Sequence, residues 1–426
     1  MVVAAMLVAV PVTPAIGEDQ RKVRTVSNGV TYRVLKVAGP NRVFVLTIDP
    51  SKDATMDVGL ARPSLPGYSR TSSIATTQGA VAAVNGDFGL SPGRPGHLFA
   101  QDGELIQTTL LGTDGKNFAI SLDEARSYID SPDVTITANE VASGSTWDVA
   151  KWNVGTPGGQ MVAGYSASAG TVAPTPRNSC SVRLQSASGL SWANNQSGVT
   201  RNFTVDQVAC GASAMSLGGG VVLASGTTGN GADRIRGLAR GETVRLTWSL
   251  GWRGVVDSIG GSPILLKDGK VMVSPCSSYL CRQHPRTAIG RTATGKILLV
   301  VVDGRQSGYS VGMTLVQLAN RMKKLGAVDA LNLDGGGSST MWIRGKGVVN
   351  RPSDGSERSV TSAVLVLAHR DASDPNMSAP VIGATQEWLA PPDPAAQEVA
   401  AAAAYADPAS TGGMLDYEAM LERAGR

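Results

Sequence analysis

Histidine is almost missing from this 426-residue chain: only His97, His284 and His369 are present, and no two are close in sequence. The H-x-x-x-H spacing that puts two zinc ligands on one helix face is therefore absent. Charge is sparse as well, at 17% of residues against a usual ~25%. The formal net charge is +4, with no run of Lys or Arg, which argues against nucleic acid as a partner. Aromatic residues are 5% and scattered, so no row of rings suggests a glycan-binding platform. No glycine loop is followed by G-K-[ST] and none reads G-x-G-x-x-G, which excludes a P-loop and a dinucleotide fold. No stretch is apolar for long enough to cross a bilayer, so no stable membrane insertion is expected.

Cysteines number four, with no C-x-x-C. Four allow three pairings. Cys276–Cys281 with Cys180–Cys210 is the simplest, because each pair closes a loop within one segment, and the alternative is four buried free thiols. Pairing implies an oxidising compartment. The first residues, MVVAAMLVAVPVTPAIG, fit a signal peptide over 1–17, with Ala15 and Gly17 as small residues before a cleavage site and no basic start. A secreted or cell-envelope protein is expected.

Glycine is abundant: 51 of 426 residues, about 12%, against ~7% on average. With Val and Thr plentiful, this predicts short strands joined by tight turns and rules out a helical bundle. Alternating apolar residues predict strands at 29–37, 42–49 and 54–61, then a helix near 70–78 and an apolar run at 80–84. Asp102-Gly103 and Asp268-Gly269 sit between β-type runs and predict hairpins. Residues 130–250 are rich in Gly, Ser and Thr and read as a β-rich insertion in a domain spanning 18–370. After about His369 the composition shifts to Ala, Pro, Asp and Glu, and the segment 371–426 is expected to be a disordered tail with at most a short helix near 413–424.

The segment 296–368 is the most legible. KILLVVVDG is a continuous apolar strand, and TLVQLANRMKKLG a helix with Thr314 and Gln317 as a capping box and Gly326 past its end. AVDALNLD is a second strand. Strand, helix, strand predicts a βαβ unit with two parallel, neighbouring strands. Each ends in Asp-Gly, which brings Asp303 and Asp334 to one rim, ~5–10 Å apart if the strands are adjacent. The expected fold class is α+β: a mixed, β-rich sheet domain with a C-terminal βαβ unit, Gly-rich loops at strand ends and the β-rich insertion.

Asp334 opens a loop, Gly335-Gly336-Gly337-Ser338-Ser339, whose amides and hydroxyls suit an anion. Its bland alternative is a flexible turn. Arg286, Arg305, Arg351 and Arg358 flank these loops, and guanidinium groups suit phosphate, though each alone is more often a surface ion pair. Gly308-Tyr309-Ser310-Val311-Gly312 matches G-x-S-x-G, with Asp334 and His369 downstream in esterase order. The residues between Asp303 and Gly308 spoil the strand-to-turn geometry that a nucleophile elbow needs. Sequons at Asn195, Asn202 and Asn376 are frequent chance matches.

His284-Pro285-Arg286-Thr287-Ala288-Ile289-Gly290, Asp303-Gly304-Arg305, Asn332 to Thr340 and Asn350 to Arg358 occur in an order that resembles the phosphodiester glycosidases, relatives of the mannose 6-phosphate uncovering enzyme. Asn85-Gly86-Asp87-Phe88 resembles that family's N-G-x-F element, and Ile259-Gly260-Gly261-Ser262-Pro263 also fits. The resemblance spans roughly 25–368, densest over 257–368 and weak over 130–240. Gln317 and Gly89 depart from the pattern of many relatives. The resemblance implies an exported hydrolase that releases a sugar linked through its anomeric oxygen to a phosphodiester, with a phosphorylated cell-wall or exopolysaccharide glycan as substrate. Asp334 is then the nucleophile or base, Asp303 its orienting partner or a sugar ligand, and Arg286 and Arg358 phosphate ligands. Asn85, Asp87, Thr287, Arg305, the 335–339 loop and Asn350 complete the expected site. No cofactor is required on this reading, and a Ca²⁺-like ion on Asp303 and Asp334 is a minority alternative. A non-catalytic glycan-binding protein and a serine esterase through Ser310 are the rivals.

Overall fold

The computed structural model describes residues 19–20, 23–111, 116–121, 126–186, 191–192 and 199–368. The signal peptide, the tail, His369 and the sequons at Asn195 and Asn376 lie outside them. The described chain is β-dominated, with α-helices at Thr71–Thr77, Asn230–Gly237 and Leu315–Lys324. The predicted strands form at Val30–Val37, Asn41–Ile48 and Ala54–Leu60. Both Asp-Gly hairpins form too. Asp102 and Gly103 have φ of 52° and 77°, and Asp268 and Gly269 of 48° and 72°, the double left-handed turn whose twist suits a two-residue hairpin.

One nine-stranded antiparallel sheet organises the site. Its central order is Val30–Val37, Asn41–Ile48, Ile297–Val302, Arg286–Thr292, Ala327–Asn332, Ile264–Lys267. Ile297–Val302 and Ala327–Asn332 run in the same direction, as the strand–helix–strand pattern requires. They are not neighbours, however: Arg286–Thr292 lies between them, antiparallel to both. The sequence missed this because the intervening strand precedes the unit in the chain. Leu315–Lys324 covers the sheet with Leu315, Leu318, Ala319 and Met322, packed on Val300, Val302, Leu265 and Ala330. Its start is the capping box: Gln317 N–H donates to Thr314 Oγ1 at 3.2 Å, and Thr314 N–H to Gln317 Oε1 at 2.9 Å.

Two five-stranded sheets pack against this one and share a core that includes Phe44, Leu46, Val84, Phe99, Phe118, Ile259, Leu299 and Leu331. A further nine-stranded sheet, from Thr135 to Ser249, has its own core, closed against Leu98, Ala100 and Leu105. Cys180 and Cys210 face each other across paired strands of that sheet and are bonded; Cys276–Cys281 closes a loop at the site rim. Among the described residues no helix is long and apolar enough to cross a membrane.

Candidate active site

The C-terminal ends of Ile297–Val302 and Ala327–Asn332 share a rim with the start of Arg286–Thr292, because Arg286 pairs with Val302 and Ala288 with Asn332. With one strand between them, Asp303 and Asp334 stand on strands about 10 Å apart, two spacings of ~4.8 Å. The loop Asn85–Phe88 reaches the same rim from a second sheet. Asp334 N–H donates to Gly86 O at 3.0 Å, and Asn85 Nδ2 to Asp334 O at 2.7 Å.

Asp334 is partly accessible, while its carboxylate is enclosed by protein. Gly335 N–H donates to Oδ1 at 2.8 Å. Enclosure pushes its pKa up to about 6; the Ser338 hydroxyl, the Gly335 amide and Arg358 pull it down, and the charge of Asp87 adds to the rise. Gly337 lets the Asp354–Arg358 ion pair lie on the loop: a Cβ there would come 2.1 Å from Asp354 Oδ2 and 2.3 Å from Arg358 Nη2 and would push these side chains aside.

Asp87 is 1% exposed and His97 2%. Asp87 Oδ1 accepts from His97 Nδ1 at 2.6 Å and from Phe88 N–H at 2.7 Å, and Oδ2 accepts from His97 N–H at 2.7 Å. The carboxylate thereby fixes the proton on Nδ1 and leaves Nε2 to exchange a proton. Burial lowers the imidazole pKa, but the charge and hydrogen bond of Asp87 outweigh it, and the net direction is upward. Among the described residues Nε2 has no hydrogen-bond partner.

The other flank is cationic. Arg305 lies against Gly336, with Nη2 donating to Tyr279 Oη at 2.9 Å and 3.4 Å from His284 Nδ1. It has no carboxylate partner among the described residues. His284 Nε2 is 2.8 Å from Tyr279 O, which makes Nε2 the donor and Nδ1 an acceptor. Burial, then Arg286, Arg305 and Arg282, push His284 down to about 4, against the Tyr279 carbonyl. Arg358 donates through Nε to Asp354 at 2.8 Å. Arg286 is only 3% exposed. Its Nε donates to Met313 O at 2.9 Å and its Nη2 to Leu280 O and to Arg282 O at 2.8 Å. It pins the Cys276–Cys281 loop from beneath, and burial lowers its pKa to about 10.

Several expected ligands serve as bolts between loops. Asn85 Oδ1 accepts from Thr287 Oγ1 and from Thr340 N–H at 2.7 and 3.1 Å. Asn350 donates to Asp303 Oδ1 and to Ser339 O at 2.9 and 3.0 Å, and accepts from Met341 N–H. Asp303, 1% exposed, also takes Arg351 N–H and Tyr309 Oη. Burial still raises its pKa to about 6. Its place is to hold the 350–358 loop that carries Arg358. The amides of Gly336, Ser338 and Ser339 are bonded to Pro285 O, Gly335 O and Gly336 O, which leaves them little for a ligand.

Ser310 is fully buried, donates to Asp303 O at 2.6 Å and accepts from Arg42 N–H. Its loop is a turn closed by a Gln306–Ser310 bridge, without strand-to-helix geometry. Among the described residues nothing there is placed to activate a nucleophile, and His369 lies outside them. Asp303 and Asp334 belong to no group of three metal-binding side chains among the described residues; the one such group is Asp57, Asp102 and Asp257. Sequence reasoning passed over His97, His284 and Tyr279. The only signal for His97 was its place in a Gly/Pro-rich loop ten residues after Asp87.

Residues 191–367 match the family model of the phosphodiester glycosidases. The SPbeta prophage-derived uncharacterized protein YomE of Bacillus subtilis is 34% identical over 124 residues, 29% of this chain and 19% of that protein. The human N-acetylglucosamine-1-phosphodiester alpha-N-acetylglucosaminidase is 39% identical over 113 residues, 23% of this chain and 21% of that protein. The matches thus span about a fifth of those relatives' length. A crystal structure of a hypothetical protein from Synechocystis superposes with a TM-score of 0.61, 20% identity, and coverage of 82% of this chain and 64% of that one, which speaks to the fold.

Proposed function

We propose that this chain, whose residues 191–367 belong to the phosphodiester glycosidase family, hydrolyses the anomeric C–O bond of a sugar-1-phosphodiester. The observation that carries this is the pairing of one enclosed carboxylate, Asp334, with a cationic flank whose Arg305 lacks a counter-charge. Asp334 works at the anomeric carbon, either attacking it or taking the proton of the attacking water. The C1–O bond breaks, its electrons leave with the phosphate, and Arg305 and Arg358 hold that growing charge. An ordinary glycoside leaves as an alkoxide and needs an acid on the opposite side. A phosphate monoester leaves as a stable anion, so a single carboxylate suffices. Asp87, whose charge is felt at Asp334, holds His97 as a proton carrier in the same part of the site. The name of the human relative suggests an N-acetylglucosamine-1-phosphodiester as the starting substrate. Two disulfides favour an exported enzyme.

The test is product analysis by mass spectrometry, with a panel of sugar-1-phosphodiesters in ¹⁸O-water. Label in the released sugar is expected. Label in the phosphate means P–O cleavage and rejects the proposal. The anomeric configuration of the first-formed sugar separates direct attack from base catalysis.

A further inference from the structure

At the rim opposite Asp334, the central sheet opens into a cleft of about 850 Å³. This is the end where Ile297 pairs with Ile48 and Arg291 with Asp329, a strand length away from Asp303 and Asp334. The volume falls in the ~300–1,000 Å³ range of ligand sites. Directly beneath its floor lies the buried shared core, with Met56, Phe118, Ile120, Ile129 and Ile297. One wall carries Tyr128 and Trp252, both half-buried, their rings parallel within 2° and 5.4 Å apart.

Charges around the cleft are numerous and mostly paired. Asp49, Asp130 and Asp329 line it with Arg126, Lys267 and Arg291. Each acid already has a cation: Lys267 is 2.7 Å from Asp130, Lys296 is 3.3 Å from Asp49, and Arg291 bridges Asp329. A metal ion would find each of these carboxylates taken, and an anion would compete with them for Lys267, Lys296 and Arg291. Paired carboxylates and ammonium or guanidinium groups still keep free lone pairs and N–H bonds, however. Aromatic surface and many directional polar groups held in ion pairs suit a ligand with C–H faces and a dense set of hydroxyls.

We infer that this cleft is a second, non-catalytic binding site for a neutral oligosaccharide chain, with Trp252 and Tyr128 as the stacking surface and Lys267, Asp130 and Arg291 as hydrogen-bonding partners. It would hold a polymeric glycan on the face away from Asp334.

The test uses the full chain with labelled isoleucine methyls, titrated with neutral hexasaccharides of glucose, N-acetylglucosamine and arabinose. At least one sugar should shift the Ile120, Ile129 and Ile297 methyl signals together. Trp252→Phe and Lys267→Gln should each weaken that binding about tenfold, the order of one aromatic or hydrogen-bonding contact. Asp334→Asn should leave it unchanged, whatever that variant does to hydrolysis. The inference is overturned if no hexasaccharide moves those methyls, if Asp334→Asn abolishes the binding while the two cleft variants keep it, or if a peptide or an anionic sugar shifts the signals where neutral sugars do not.

Discussion

Replacing Asp334 by Asn should make the protein both inactive and more stable, and the two effects have one cause. The carboxyl has a folded pKa of about 6 against an ordinary 3.8, because its enclosure disfavours the charge. That rise corresponds to at most ~3 kcal/mol, and partial exposure discounts this to ~1–2 kcal/mol. The sign follows from linkage: the folded pKa is raised, so the destabilising cost is absent below about pH 4 and complete above about pH 6. Asn cannot ionise, and its carbonyl still accepts from Gly335 N–H. The variant should melt higher than the parent at pH 8, with the difference closing toward pH 4. Turnover on a sugar-1-phosphodiester should fall ~10²–10⁴-fold, the usual contribution of a positioned acid or base. Melting curves at pH 4.5 and 8, with turnover at pH 7.5 on the same preparation, decide it. Near-normal turnover in a folded variant refutes the catalytic role. Equal destabilisation at both pH values refutes the enclosure argument.

His97→Gln should lower the melting temperature, since it takes the imidazole from buried Asp87, and in the folded variant lower turnover ~10²-fold and remove one limb of the pH–rate profile; an unaltered profile shape would show that the Asp87–His97 pair carries no proton in the reaction. Arg305→Ala removes a charged hydrogen-bond donor worth ~1.5–3 kcal/mol and should lower kcat/KM for the phosphodiester roughly ten- to a hundredfold. An uncharged aryl glycoside of the same sugar should show no such loss, and an equal loss on both would rule out phosphate binding by Arg305. His284→Gln addresses acid stability. Its folded pKa of about 4 lies below the ordinary 6.5, so its contribution is present above pH 6.5 and is lost as pH falls toward 4. The variant should flatten that decline by ~2–3 kcal/mol, measured by urea unfolding at pH 7 and 4.5.

Local structure was legible wherever one face of an element is buried and short-range chemistry marks its ends. Thr314 and Gln317 announced a helix start, Asp102-Gly103 and Asp268-Gly269 announced turns, and continuous apolar runs announced the strands before Asp303 and Asp334. Pairing order was not legible, since nothing in Arg286–Thr292 says that it inserts between two strands that follow it in the chain. Side-chain roles were legible only by type. Asn85, Asn350 and Asp303 look like ligands in sequence, yet each is satisfied by protein partners that lie tens to hundreds of residues away. Arg286 looks like a phosphate ligand, and its Nε and Nη2 instead hold carbonyls of the Cys276–Cys281 loop and of Met313. His97 needed the fold to bring it to Asp87.

The enclosed position of Asp303 bears on why one carboxylate is enough. A two-carboxylate glycosidase keeps both groups open to substrate, one of them holding a proton for the leaving oxygen. Asp303 stands at about the right strand spacing for such a pair, but Asn350, Arg351 and Tyr309 occupy its oxygens. Burial there raises the pKa to about 6, so ionisation is costly, and the three donors are what hold the carboxylate in place. Removing it to Ala would leave the part-buried Arg351 N–H without its acceptor, at ~1–3 kcal/mol, take one of three bonds from Asn350, and loosen the loop that brings Arg358 over Gly337. The rim therefore divides its acids: Asp303 holds the 350–358 loop, and under the proposed mechanism Asp334 is the one left to meet the substrate. That division suits a leaving group that departs as an anion and asks the protein for positive charge in place of a proton.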